Sequence, residues 1–310
     1  MPQKIIIDTD PGIDDTMAIT FALRSPELEV IGLTTVFGNA DIETTSMNGL
    51  RLVELEGNDH IPVAKGCGKA LIKPTLEFGT EIHGLEGMGN TNPPLPKGKL
   101  APIHAANFII EQVMNNPGEV TLVPIGPLTN IGLAVRLEPR IIPLVKEVVL
   151  MGGAHSIEGN ISPVAEANIY NDPHAAAIVF GAGWPVTMVG LDVTKKVIQT
   201  PEHLASLYQA KNPATELIQQ ILPCYHAFFK KFYDMDNTIF THDPSAIAYL
   251  INRDLFETKK VPTYVETQGV CMGQTIPDFN HQLNGLQEVN LCMDVNVQGV
   301  LSLMKERLTK

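Results

Sequence analysis

Short β-branched apolar runs alternate with amphipathic stretches along the first two-thirds of this chain. That alternation restricts its possible folds more than any other feature. Residues 4–8 carry three consecutive isoleucines. A run that short and apolar reads as a strand buried on both faces. Residues 14–24 then place Met17, Ala18, Phe21 and Ala22 at i, i+1, i+4 and i+5, one face of a helix. The pattern recurs, with strands at 28–36, 61–65, 120–125, 145–151 and 186–193 and helices at 42–56, 104–115, 128–137 and 173–180. Gly57 suits the C′ position of one helix, and Pro117-Gly118 stops another. This rhythm predicts an open, mainly parallel, Rossmann-like α/β sheet with right-handed crossovers and helices on both faces.

The last third departs from that rhythm. Residues 201–233 read as mostly helical and 243–251 as a further helix. Residues 261–266, 270–276 and 288–295 form a few additional C-terminal strands, and 297–308 a closing helix. No Ser/Gly-rich linker divides the 310 residues, so 1–310 reads as a single domain. Two irregular stretches, 66–100 and 152–171, have the length of functional loops.

Composition narrows the partners. With 44% hydrophobic and 18% charged residues, the chain has material for a large core. A net charge of −12 argues against a nucleic-acid partner, which needs a basic face. The charge-free run 173–191 is interrupted by Gly181, Gly183 and Pro185, so it reads as helix, turn and buried strand rather than a membrane span. No secretory apolar region fits the N-terminus. The cysteines Cys67, Cys224, Cys271 and Cys292 form no C-x-x-C pair and read as free thiols of a cytoplasmic protein.

Ligands of such sheets bind beyond the carboxyl ends of the strands. The first strand runs there into Asp8-Thr9-Asp10-Pro11-Gly12-Ile13-Asp14-Asp15, four carboxylates within eight residues. A plainer reading makes Asp14 or Asp15 a helix N-cap. It leaves Asp8 and Asp10 unexplained, because carboxylates crowded at a strand end repel unless a cation or protons compensate. All-oxygen ligation favours Ca²⁺ or Mg²⁺. Asn39 follows the second strand, and Ile125, before Gly126-Pro127, offers a backbone carbonyl that Ca²⁺ accepts. Met151 ends a later strand and leads to Asn160, Glu166 and Asn168 on a long loop. Asp243 reads as an N-cap with Pro244 behind it, beside His242; His83 opens a glycine-rich loop. The aromatics Tyr225, Phe228, Phe229, Phe232 and Tyr233 make either a core stripe or a lid over a ligand. Walker, G-x-G-x-x-G, G-x-S-x-G and H-E-x-x-H motifs are absent.

Taken together, DTDPGIDD, Asn39, IHGLEGMG, GPLTN, MGG, the Asn160/Glu166/Asn168 loop and THDP resemble the inosine–uridine nucleoside hydrolase family along the whole chain. The resemblance implies Ca²⁺-dependent hydrolysis of the N-glycosidic bond of ribonucleosides such as uridine, cytidine and inosine. It implies Ca²⁺ held by Asp10, Asp15, Asp243 and the Ile125 carbonyl, with Asp10 also the general base. Asp14, Asn39, Asn160, Glu166 and Asn168 would grip the ribose, with Met151 beneath the sugar. His83 and His242 would line the base side, with His242 as leaving-group acid and Tyr225 and Tyr233 closing over the base. It further implies a homo-oligomer, tetramer or dimer. One branch of the family activates purines between Trp rings, but the single Trp184 lies at the wrong end of the sheet. The alternatives are a Mg²⁺ phosphohydrolase of the haloacid dehalogenase type, which also begins with a strand and DxD, and a non-catalytic nucleoside or sugar binder. The first lacks its usual downstream acidic pair here, and the second is short of aromatics at 6%.

Overall fold

The computed structural model describes residues 1–74 and 78–310. Part of the first irregular stretch, 75–77, therefore lies outside the described residues. The first half alternates as read. β1 (Gln3–Thr9), α1 (Ile13–Leu23), β2 (Leu28–Thr35), α2 (Ile42–Leu55) and β3 (Val63–Lys65) come first. Next are α3 (Thr80–His83), α4 (Ala105–Asn115), β4 (Thr121–Pro124), α5 (Thr129–Leu137) and β5 (Glu147–Met151). α6 (Ala167–Asn171), α7 (Pro173–Phe180), β6 (Val186–Val189) and α8 (Leu191–Thr194) follow.

The second half holds β7 (Ile198–Gln199), α9 (Pro201–Tyr208), α10 (Pro213–Tyr233), β8 (Ile239–Phe240) and α11 (Asp243–Ile251). It ends in β9 (Phe256–Val265), β10 (Thr275–Pro277), β11 (Glu288–Val295) and α12 (Val297–Leu308). Nine strands make one sheet in the order β10-β9-β11-β6-β5-β4-β1-β2-β3, and β7 pairs with β8 separately. Within the large sheet only β9 runs against the rest.

Burial on both faces explains the apolar strands. Ile5 and Ile7 pack into one core cluster, while Ile6 packs into the other on the opposite face. β1 lies between β4 and β2; the connection from β1 runs to β2, and that from β4 runs the opposite way to β5. That is the switch point at which open α/β sheets form a crevice. Gly57 takes φ +65° after α2, as its place in the sequence predicts. No helix among the described residues is long and apolar enough to cross a membrane. All four cysteines are free.

Several expectations need correction, among them the strand at 270–276, where only β10 (Thr275–Pro277) is a strand. The run 186–193 is not one strand: it leaves the sheet at Gly190 and enters the short helix α8. An unbroken apolar run hides such a turn, because both elements are buried. The helical 201–233 is two helices, split where Lys211 takes φ +50° and Asn212 caps α10. Asp243 is the first residue of α11 rather than its N-cap, a position held by His242.

Candidate active site

The crevice floor is built by the turn after β1. Asp15 is held in place from three sides: Thr9 Oγ1 donates to Oδ1 at 2.5 Å, while the Gly12 N–H (2.9 Å) and Asn39 Nδ2 (2.8 Å) donate to Oδ2. The Asn39 backbone N–H donates to Asp10 Oδ2 at 2.8 Å. The Asp10 carboxylate is enclosed by Gly38 and Gly126, where any Cβ would overlap it. Asp10 Oδ1 and Asp14 Oδ1 are buried with no hydrogen-bond partner. α11 brings Asp243 to the same place, and carboxylate oxygens of Asp14, Asp15 and Asp243 lie within 4.8 Å of one another.

Burial is the main force on these acids. It raises Asp14 and Asp15 to about 6, with Asp14 also repelling ionised Asp15. Asp10 is pushed well up by burial and then by Asp15; Asp243 is pushed up by burial and then by Asp14 and Asp15. Orphaned oxygens within a self-repelling, all-oxygen cluster are a donor set suited to a hard divalent cation. Asp14, rather than Asp10, joins the converging trio, whereas the resemblance assigned Asp14 to the ribose. Asp8 is raised to about 7 by burial, although Thr34 Oγ1 (2.6 Å) and Asn130 Nδ2 (2.8 Å) donate to it. Those bonds tie it to β2 and α5, and it does not line the cavity.

The cavity above this floor is lined by Asp14, Asn39, His83, Ile125, Met151, Asn160, Glu166, Asn168, Tyr225, Tyr233, His242 and Asp243, all singled out from the sequence. Asp10 and Asp15 lie buried beneath them. Ile82, Ala167, Phe228 and Phe229 complete the lining. Ile82 carries no chemical signal that sequence reading could use.

The polar wall is also a set of loop fasteners. Glu166 accepts the Gly153, Asn168 and Ile169 N–H groups, capping α6 and pinning the turn after β5. Asn168 Nδ2 donates to the carbonyls of Ile125 (2.9 Å) and Met151 (3.2 Å). Asn160 Oδ1 accepts the Ala167 N–H at 2.9 Å.

Opposite the wall stand two histidines and the aromatic face of α10. The Ile13 N–H donates to His83 Nδ1 at 3.1 Å, and His242 Nδ1 lies 2.8 Å from Thr194 Oγ1. Burial lowers His83 to about 4 and His242 to about 3, favouring the neutral form of each ring. Thr194 is a contact that sequence reading missed, being 48 residues away from its partner. Tyr225 Oη donates to Asp14 Oδ2 at 3.2 Å, joining α10 to the acidic floor. Tyr225 meets Phe229 edge-on at 4.8 Å, and Phe229 stacks on Tyr233 at 5.4 Å. These aromatics are both core and cavity wall, since Tyr225 and Phe229 are buried and yet face the cavity. Trp184 is buried elsewhere, donating to the Val179 carbonyl.

An open α/β sheet with a metal-ready carboxylate floor and a polar, aromatic-roofed pocket at its switch point defines a small-molecule enzyme of the doubly wound class. The particular family follows from comparison. The sequence profile described as inosine-uridine preferring nucleoside hydrolase matches residues 5–302. The inosine-uridine preferring nucleoside hydrolase of Leishmania major is 44% identical, over 91% of this chain and 89% of its own length. Uridine nucleosidase 1 of Arabidopsis thaliana is 38% identical over 99% of this chain and 94% of its own. A solved plant nucleoside hydrolase superposes with a TM-score of 0.96 at 37% identity, covering 100% of this chain and 99% of its own. The chain belongs to the inosine-uridine preferring nucleoside hydrolase family, and it is a nucleoside N-ribohydrolase.

Proposed function

We propose that this enzyme uses a bound Ca²⁺ to hydrolyse the N-glycosidic bond of uridine, cytidine and inosine, releasing ribose and free base. The buried carboxylate cluster at the switch point, with its orphaned oxygens, is the observation that carries the metal. Asp10, Asp15, Asp243 and the Ile125 carbonyl would hold it, and Asp14 stands close enough to join or to bind the sugar. When bound, such a cation lowers the pKa of a coordinated water and orients vicinal hydroxyls.

The protein's own groups account for the rest. Asp10, enclosed between glycines, takes the proton of the attacking water. The carboxylates of Asp14 and Glu166 and the amide oxygens of Asn160 and Asn168 favour the positive charge that develops on the ribosyl ring. Met151 gives the sugar an apolar seat. The C–N bond breaks with its electron pair passing to the base, which takes up a proton as it leaves; His242 stands as the donor, with His83 as a second hydrogen-bonding group beside it. Tyr225 and Tyr233 exclude water from above. A neutral nucleoside also suits a chain of net charge −12 better than a phosphate ester does. We also propose a cytoplasmic homo-oligomer, dimer or tetramer, which light scattering of the purified protein tests.

Metal analysis of protein purified without chelator tests the metal directly. One Ca²⁺ per chain is expected, with uridine hydrolysis lost on chelation and restored by Ca²⁺. Zn²⁺ in its place, or full activity without metal, would overturn the assignment.

A further inference from the structure

Asn130 closes the Gly126-Pro127-Leu128-Thr129-Asn130 turn and stands in the first turn of α5. It is fully buried and does not line the cavity. Its amide engages three neighbouring strand ends. Nδ2 donates to Asp8 Oδ1 on β1 at 2.8 Å and to the Thr35 carbonyl at the end of β2 at 2.9 Å. Oδ1 accepts the Cys67 N–H at 2.9 Å, two residues past β3. Because α5 itself follows β4, one side chain ties together the carboxyl ends of β4, β1, β2 and β3, which are adjacent in the sheet. Both N–H groups face acceptors and the oxygen faces a donor, so the orientation of the amide is fixed. Gly66 makes room for it, since a Cβ there would overlap the Asn130 amide. Beside it, Thr129 Oγ1 donates to Asp172 Oδ2, which also accepts the Leu71 N–H, so the segment after β3 is fastened twice.

The strand ends that Asn130 joins are those from which the acidic floor is built. Asp10 lies two residues past Asp8, and the Asp8 carbonyl accepts the Ile125 and Gly126 N–H groups at 2.8 and 3.3 Å. After Thr35, the Val36 N–H donates to the Thr9 carbonyl at 3.0 Å. Gly38 and Asn39 follow; the first encloses the Asp10 carboxylate, and the second donates to Asp10 and Asp15. A shift of either strand end would therefore displace Asp10, the Asn39 side chain that holds Asp15, or the Ile125 carbonyl. An aliphatic residue at 130 would leave three buried polar groups without a partner. An aspartate would set an acceptor against Asp8 and the Thr35 carbonyl, where the amide now donates.

We propose that Asn130 is the positioning residue of the metal floor. It touches neither cation nor substrate, and it holds the four strand ends at the spacing at which Asp10, Asp15 and the Ile125 carbonyl converge. Asp8 has a part in the same device, as the acceptor on β1 through which the amide acts. This inference rests on the Ca²⁺ reading of the floor.

The test measures Ca²⁺ affinity by competition with a fluorescent chelator on the intact, metal-stripped chain, together with Tm and uridine kinetics. Asn130→Ala and Asn130→Asp are expected to weaken Ca²⁺ binding about 10–100-fold, the usual worth of a group that orients metal ligands. The Ca²⁺ concentration for half-maximal uridine hydrolysis should rise by the same factor. Val135→Ala, on the same helix but packed in the core, separates this from lost stability: it should lower Tm and leave the affinity unchanged. Gly66→Ala crowds the amide without removing it and should weaken Ca²⁺ in the same direction, and it decides the matter if the Asn130 variants do not fold. Unchanged Ca²⁺ affinity in a folded Asn130→Ala protein or in Gly66→Ala would overturn the proposal. So would a loss of affinity in Val135→Ala as large as that in Asn130→Ala. A wild type that binds no Ca²⁺ would instead sink the metal reading, and this proposal with it.

Discussion

A methyl group at position 12 would meet His83 Nδ1 at 2.6 Å and Asn39 Nδ2 at 2.8 Å. The backbone there, at φ −112°, is open to alanine, so the obstacle is space and not conformation. Gly12→Ala should therefore lower uridine kcat/KM by about tenfold or more by displacing one side chain or the other. Steady-state kinetics on a variant that keeps its Tm within a few degrees check this. Asp10→Asn should cost at least ~10²–10⁴-fold in kcat, the usual worth of a positioned base. Near-normal turnover in a folded, metal-loaded variant would remove Asp10 from that role. These residues were legible in the sequence because their chemistry is local: acids crowd one turn, and crowding needs a cause. Thr194 was not, since nothing in Leu191–Thr194 separates a hydroxyl that meets a distant imidazole from one that ends a short helix.

At the scale of elements, α10 matters most to the site. It runs from Pro213 to Tyr233, and its aromatic face roofs the cavity. Among the described residues, its one hydrogen bond to the floor is Tyr225 Oη to Asp14. Tyr225→Phe keeps the packing against Phe229 and deletes that bond, so KM should rise a few-fold with stability nearly unchanged. Tyr225→Ala should raise KM further and lower Tm, because it also empties a buried site. If both leave KM and kcat untouched, α10 is not a lid. The sequence pattern located the end of this helix and most strands to within a few residues, but ran its start together with α9. It failed where two elements share one kind of burial, as at Gly190 between β6 and α8. It also cut β9 short, because Glu257, Lys259 and Lys260 make the start of that strand polar and exposed. The short pairing of β7 with β8 joins residues about forty positions apart, beyond any local periodicity.

For the whole molecule, the acidic cluster couples metal binding to pH. Burial raises the carboxyls of Asp14 and Asp15 to about 6 in the folded chain, above their ordinary value of 3.8. At pH 5 both are mostly protonated, and a cation must displace those protons; at pH 7.5 they are ionised and repel one another. Ionising them costs the metal-free fold stability as pH rises from about 4 through 6, the sign expected for acids with raised folded values. Added Ca²⁺ should therefore raise Tm several degrees more at pH 7.5 than at pH 5. Thermal scans with and without Ca²⁺ at the two pH values check this, and an equal shift at both would argue against carboxylate ligation.

In the proposed function, the switch-point cavity cleaves the bond between ribose and base with the help of a metal. A kcat/KM panel over uridine, cytidine, inosine, adenosine and guanosine, with ribose and free base both quantified, tests it most directly. Equimolar ribose and base, turnover of uridine, loss of turnover on chelation and its return with Ca²⁺ are expected. Strong turnover of purines alone would contradict the proposed base preference. No release of ribose from any of the five nucleosides by the Ca²⁺-loaded enzyme would overturn metal-assisted glycosidic cleavage at this cavity.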